Sequence, residues 1–188
     1  MVFENAFDKL FSIINAEGGL EGGIVVTDSL QLIYTLLFGN SSNQNHFRET
    51  GCFSKLASLF PNPKTQQEWP VQKITGASVL LDIIRIFVSP KTSATALQTN
   101  QNMLRKPLLD AVIELGLGDY IPPKVKQEAL RTVADLIRGN EASQDVFAKS
   151  MAKTCEVFFS PLVTLFSLSS LFFFAVDNLM ASTFPKVL

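Results

Sequence analysis

The chain has 188 residues, of which 16 are basic and 17 acidic, and its formal net charge at pH 7 is −1. This balance gives no field that would attract nucleic acid, and no local basic cluster supplies one, so we expect no nucleic-acid partner. Cys52 and Cys155 are too few for a disulfide framework, which favours a reducing cytosolic compartment. No basic segment followed by an apolar run opens the chain, so no secretory signal is predicted.

Apolar residues recur at helical spacing along most of the chain, and no alternating strand pattern of useful length competes with them. The predicted helices cover 3–16, 24–38, 42–50, 52–60, 73–88, 99–117, 123–138 and 141–153, with Pro107 as a candidate break in the sixth. The predicted turns and loops cover 18–23, 61–70, 89–98 and 118–123.

Residues 28–47 and 128–147 repeat one pattern at a distance of one hundred positions. Each copy is an amphipathic helix that ends at Gly39 or Gly139, where glycine can adopt the left-handed conformation that stops a helix. A polar segment then opens the next helix. The matched apolar pairs are Leu30 and Leu130, Ile33 and Val133, Leu36 and Leu136, and Leu37 and Ile137. We expect Leu36 and Leu136 to be equivalent buried positions in an α-solenoid.

A third, degenerate copy lies between these two. Residues 78–88 form an apolar helical run, and Asn100-Gln101-Asn102 resembles Asn43-Gln44-Asn45. The connection differs, because a Pro-, Ser- and Thr-containing stretch replaces the Gly-Asn stop. The period is therefore irregular, and the repeat rests on pattern rather than on strict spacing.

Several long runs resemble the armadillo-like globular head of the Uso-type general vesicular transport factors, which are Golgi vesicle tethers. These runs are ENAFDKLFSIINAEGG, GGIVV, DSLQLIYTLL, SNQNHFRETGCFSKL, ITGASVLLDIIRIFVSP and VADLIRGNEASQDVFA, and they fall within 3–148. The resemblance implies an all-α, armadillo-like right-handed α-solenoid of about three repeats. We expect this repeat region to cover 1–150, with an apolar tail at 151–188.

The same resemblance implies a non-enzymatic interaction scaffold in vesicle tethering and in ER-to-Golgi and intra-Golgi traffic. It also implies partners among Rab-type GTPases, golgins and SNAREs, and a cytoplasmic location, peripheral at Golgi membranes. Proteins of this family are homodimers with a long coiled coil and an acidic tail. This sequence contains neither a heptad-bearing coiled coil nor an acidic tail.

Importin-type armadillo proteins are similar in architecture and present a Trp and Asn ladder to an extended peptide. Aligning the Gly-Asn stops places Gln31 and Arg131 at the Trp position and Thr35 and Asp135 at the Asn position. Thr is shorter than Asn and Asp only accepts hydrogen bonds, so the peptide clamp is missing. These four residues are instead predicted to line a protein-binding surface, to which Trp69 is added. Trp69 is either such a contact or the anchor of its own loop.

No catalytic, cofactor-binding or metal-binding site can be assembled from the sequence. His46 is the only histidine and has no adjacent acid to orient it, so we expect a solvated surface side chain. Cys52 leads an apolar run and is expected in the core. The glycines of 18–23 lack the Gly-Lys-Ser/Thr ending of a phosphate loop, and they predict a flexible turn.

Residues 157–176 contain no charge and would be long enough, as a helix, to cross roughly 30 Å of bilayer. Three interpretations stay open: sequence foreign to the family, from an alternative or mis-assigned transcript end; a membrane anchor, which would make the chain a tail-anchored protein; or a buried helix of a fourth repeat. Length alone does not separate a spanning helix from a buried one.

Overall fold

A computed structural model describes residues 5–61, 68–90 and 92–159, with side chains as far as residue 152. The described residues form helices and no strand. The α-helices are α1 (Ala6–Ala16), α2 (Gly23–Leu37), α3 (Ser41–Glu49), α4 (Cys52–Ala57), α5 (Val71–Val88), α6 (Ala94–Leu104), α7 (Asp110–Leu117), α8 (Pro123–Ile137) and α9 (Glu141–Phe159). A 3₁₀ turn, Gly19–Glu21, joins α1 to α2. The all-α prediction is confirmed for this part of the chain.

The chain divides into two units, 1–150 and 151–188. In the first unit α5 lies at the centre, because it packs against both α2 and α8. These three helices are the corresponding long helices of successive repeats, and shorter helices connect them. Of the second unit the structure describes only the last turns of α9.

The core is aliphatic along the long helices and aromatic where α1, α3, α4 and α5 meet. Phe47 is fully buried, and its ring packs edge-on against Phe7 and stacks on Phe87, with ring centroids 5.0 and 5.7 Å away. Such pairs stabilise a core beyond the area that they bury. Phe47 belongs to the polar helix α3, and its burial attaches this helix to the core.

Local signals explain where the long helices stop. Gly39 and Gly139 have positive φ angles of 68° and 64°, as the left-handed stop requires. Asn40 and Asn140 then cap the following helices, because each Oδ1 accepts a 3.0 Å hydrogen bond from the backbone N–H three residues on.

The polar Asn-Gln segments cap carbonyl groups at the ends of the long helices that have no partner within the helix. Asn43 donates to the Leu36 carbonyl and Asn100 donates to the Phe87 carbonyl, each at 2.8 Å. Gln101 donates to two carbonyls at the end of α8, both at 2.9 Å. Because Asn43, Asn100 and Gln101 are buried, these bonds satisfy polar groups that water does not reach.

The structure corrects several helix boundaries. α4 ends at Ala57 rather than at 60, and α9 continues to Phe159 rather than ending at 153. The predicted loop 89–98 is shorter, because α6 begins at Ala94 rather than at 99. Pro107 does not break the sixth predicted helix. A single wider turn of π type, Arg105–Leu109, joins α6 to α7 and accommodates a residue that has no N–H to donate.

The expected equivalence of Leu36 and Leu136 is wrong in part. Leu136 is 1% exposed, but Leu36 is half-buried, and the neighbouring Leu37 is fully buried instead. α2 and α8 therefore turn slightly different sides toward the core. α8 packs against α5, which precedes it, whereas α2 packs against α5, which follows it.

No helix among the described residues has the length and apolar character needed to span a membrane. The predicted apolar segment 157–176 lies, from Ser160 onward, outside the described residues, as do the first two residues of the predicted helix 3–16 and most of the predicted loop 61–70.

Candidate protein-interaction surface

Equivalent positions of α2, α5 and α8 can be assigned from the capping bonds. Asn43 caps the backbone carbonyl of Leu36, and Asn100 caps that of Phe87. Phe87 lies 51 positions after Leu36 in the chain. With this offset, and with the offset of one hundred between α2 and α8, Gln31, Asp82 and Arg131 are equivalent. All three side chains are exposed. We call these three residues the central ladder.

The structure places two of the predicted site residues on one exposed stretch of α2. Gln31 and Thr35 are one turn apart and both exposed. Thr35 Oγ1 donates to the Gln31 carbonyl at 2.8 Å, so the hydroxyl is occupied within its own helix. Arg131 is exposed on α8, at the other end of the central ladder.

Asp135 was expected beside Arg131 on the surface, but it is only 7% exposed. Its carboxylate pairs with Arg138 one turn away and with Arg85 Nε of α5 at 3.5 Å. A buried carboxylate held between two guanidinium groups binds its own fold together. Asp135 therefore positions α8 against α5.

Asp82 is the charged rung of the central ladder that the sequence analysis did not single out. Partial burial raises the pKa of its carboxyl above the usual value, the nearby Arg85 opposes this rise, and Glu128 of α8 adds to it. Arg85 Nη1 lies 3.5 Å from Asp82 Oδ1. The middle of the surface therefore combines two like charges, Asp82 and Glu128, with the opposite charge of Arg85.

Trp69 lies just before α5 and is half-buried against the core. The ammonium group of Lys73 lies over its ring, 4.9 Å from the centroid, and also pairs with Glu21. Lys73 itself is 2% exposed. These contacts match the second of the two interpretations of Trp69, in which the ring anchors its own segment.

The candidate catalytic residues do not form a catalytic arrangement. His46 is half-buried rather than solvated, with its ring 6.2 Å from that of Phe7. Cys52 is fully buried, and this burial raises the pKa of its thiol, which disfavours the reactive thiolate. Within the described ranges, no group of three or more His, Cys, Asp or Glu side chains could hold a metal ion.

The register of α5 was the signal that could have revealed Asp82. The sequence shows Asp82 and Arg85 as charges in an otherwise apolar run, which marks a solvated stripe on a buried helix. Without a Gly-Asn stop to align on, the equivalence of Asp82 to Gln31 and Arg131 was not visible.

No known family model matches the chain. It is 42% identical over 152 residues to the intracellular protein transport protein Uso1 of Saccharomyces cerevisiae, covering 79% of the chain and 8% of that relative. It is 36% identical over 149 residues to the general vesicular transport factor p115 of Rattus norvegicus, covering 79% of the chain and 16% of that relative. The chain thus spans less than a fifth of the length of these relatives.

The fold is similar to a crystal structure of Uso1-2, with a TM-score of 0.72 and 42% identity over 78% of the chain and 22% of that structure's chain. A crystal structure of Uso1-1 gives a TM-score of 0.71. The predicted all-α, armadillo-like fold is confirmed by this likeness. Over 79% of its length, the chain is therefore homologous to the Uso1/p115 family of vesicular transport factors.

Proposed function

We propose that the chain is a non-enzymatic interaction scaffold in vesicle tethering, acting in ER-to-Golgi and intra-Golgi traffic. The observation that carries this proposal is the 42% identity to a protein named as an intracellular protein transport protein. The structure is compatible with it, because the long helices present an exposed row of side chains of the kind with which helical repeats bind proteins. The burial of Cys52, which raises the pKa of its thiol, favours binding over catalysis.

We propose Rab-type GTPases, golgins and SNAREs as the partners, and the cytosolic surface of Golgi membranes as the place of action. The candidate contact residues are Gln31, Asp82 and Arg131, and Thr35 lies at their edge. Asp135 is buried beneath this surface and supports it through its ion pair with Arg85. We place Trp69 at the edge of this surface, to which it contributes the exposed part of its side chain.

A capture experiment tests the proposal. The full chain is immobilised at low density, and recombinant Rab-type GTPase, golgin and SNARE are passed over it separately. We expect at least one of them to bind, and we expect Arg131→Glu and Gln31→Glu to weaken that binding about fivefold or more, since both side chains are exposed on the central ladder.

Lys106→Glu is the matched control, because Lys106 is also an exposed basic residue and lies on the turn between α6 and α7 rather than on one of the three ladder helices. Binding of none of the three partner classes would contradict the proposed function. Binding that survives both ladder variants would leave the function standing but exclude this surface.

A further inference from the structure

The short helices α3 and α6 carry the same polar pair at equivalent positions. Two residues after the buried asparagine that caps the preceding long helix stands Asn45 in α3 and Asn102 in α6. Three residues further on stand Arg48 and Arg105. In each helix the arginine donates to the asparagine Oδ1, from Nη2 of Arg48 and, at 3.0 Å, from Nη1 of Arg105. We call these four residues the Asn-Arg edge.

Both guanidinium groups of the Asn-Arg edge keep their positive charge, since their partners are neutral amides. Arg48 Nη1 also donates to Asn100 Oδ1 at 2.7 Å, which holds α3 against α6. None of the ion pairs among the described side chains involves Arg48 or Arg105. A guanidinium has five N–H donors, and these contacts engage two on Arg48 and one on Arg105. Because both arginines are only half-buried, an anion can reach the other donors.

The Asn-Arg edge is an internal feature of the described chain. Described helices precede and follow both α3 and α6, so the exposure of this edge does not arise at either end of the described chain. The pattern covers two helices and then stops. At the corresponding positions α9 has Asp145 and Ala148, which offer no guanidinium. The edge therefore presents two positive charges, one on each of two neighbouring helices.

Exposed carboxylates lie next to the Asn-Arg edge. Glu49 follows Arg48 at the end of α3, and Asp145 occupies the equivalent position to Asn102 on α9. A broad anionic surface such as a bilayer would bring its charges against these carboxylates as well as against the arginines. A narrow segment could instead follow the two guanidinium groups alone. Charge complementarity therefore favours an acidic segment of protein over a lipid surface.

The separation of the two arginines restricts the shape of such a segment. The Arg48–Asn100 bond shows that α3 and α6 are neighbours, and neighbouring packed helices lie about 8–10 Å apart. A polyproline-II segment repeats its side-chain direction every three residues, which corresponds to about 9 Å. Carboxylates three positions apart in such a segment therefore match the spacing of equivalent residues on the two helices.

We propose that the Asn-Arg edge binds an acidic, extended segment of a partner protein, in which two carboxylates three residues apart pair with Arg48 and Arg105. Guanidinium and carboxylate form paired, charge-assisted hydrogen bonds. Asn45 and Asn102 hold the two guanidinium groups in place, which reduces the entropy lost when these side chains become ordered on binding. The site lies on short helices rather than on the central ladder, so it does not depend on the function proposed above.

Fluorescence anisotropy with two labelled synthetic peptides tests this inference. The first peptide repeats Glu-Pro-Pro, and the second has the same composition with its glutamates in one block. We expect the repeating peptide to bind the full chain about fivefold or more tightly than the block peptide, since its carboxylates have the spacing of the two arginines. Binding of the repeating peptide should weaken as salt rises.

Charge-removing variants identify the residues that bind the peptide. Arg48→Gln and Arg105→Gln should each weaken binding of the repeating peptide about fivefold or more. Lys124→Gln is the matched control, because it removes one exposed positive charge from α8. Circular dichroism confirms that each variant keeps its helices. Arg48→Gln also loses the bond to Asn100, whereas Arg105→Gln loses only an exposed hydrogen bond, so the second variant tests the site even if the first unfolds.

Three outcomes would overturn the inference. Equal binding of the two peptides would indicate general charge attraction without a spacing requirement. Undiminished binding by a folded Arg105→Gln chain would place the peptide elsewhere. Vesicles that contain phosphatidylserine are the third ligand, and their binding in place of the peptide, with loss in the same variants, would assign the Asn-Arg edge to a membrane surface.

Discussion

Gln44 and Gln144, one hundred positions apart, make the same hydrogen bond. Gln44 Nε2 donates to the Leu37 carbonyl at 2.9 Å, and Gln144 Nε2 donates to the Ile137 carbonyl at 3.1 Å. Both glutamines lie in the first turn of the helix that follows a glycine stop. The internal repeat thus extends to individual polar contacts, and these contacts satisfy the carbonyl ends of α2 and α8 that the helices themselves leave free.

Loss of the buried amide of Gln101 should destabilise the repeat region. Gln101→Ala removes the donor to the Asp135 and Arg138 carbonyls and leaves them without that partner. We expect the free energy of unfolding to fall by about 1–3 kcal/mol in urea titration. Gln127→Ala on the exposed side of α8 is the control, with an expected change within about 0.5 kcal/mol. Equal effects of the two variants would contradict the capping role.

A carboxylate at Leu136 should be far more damaging than one at Leu36. Leu136→Asp buries an unpaired charge and should cost more than about 3 kcal/mol, enough to unfold a marginal domain. Leu36→Asp can turn its carboxylate toward solvent, because Leu36 is half-buried. Thermal melting followed by circular dichroism compares the two. If the Leu136→Asp chain melts at the same temperature as the parent, Leu136 is not buried in the core.

Neutralising Asp82 should raise stability at neutral pH. The folded state raises the pKa of this carboxyl, so ionisation of Asp82 opposes folding above that pKa, and the penalty disappears as the pH falls below the unfolded value of about 3.8. Asp82→Asn removes the penalty. We expect a higher melting temperature than that of the parent at pH 7 and a smaller difference near pH 4.

The exposed part of the Asp82 side chain limits this effect to a small one. Asp119→Asn, on an exposed turn, is the control for a neutralised carboxylate. A melting temperature that falls at pH 7 would mean that the pairing of Asp82 with Arg85 outweighs the cost of its burial.

A chain ending at Ser150 should keep the melting temperature of the full chain and be at least as soluble. This expectation follows from the apolar composition of 157–176, which is an aggregation hazard when exposed. Alkaline carbonate extraction of membranes from cells that express both forms adds a second readout. Retention of the full chain alone would support the anchor interpretation. A clear loss of stability on truncation would instead favour a helix that belongs to the repeat stack.

Local sequence determined most of the helices and their ends. The spacing of apolar residues, the glycines at 39 and 139 and the Asn-Gln segments after them act within a few residues, so they can be recognised without the fold. The repeat at one hundred positions followed from the same signals. The start of α6, the ends of α4 and α9 and the wide turn at Pro107 departed from the prediction, because they depend on more than the local pattern.

Tertiary structure decided which side of each helix is covered. Thr35 and Asp135 occupy equivalent positions, yet Thr35 is exposed and Asp135 is buried. Their own helices do not produce this difference. α8 has α5 packed beside it, with Arg85 to receive the carboxylate, whereas no described helix precedes α1 and α2 in the chain. Burial of a given side of an amphipathic helix depends on its neighbours, and a periodic sequence specifies the helix without specifying them.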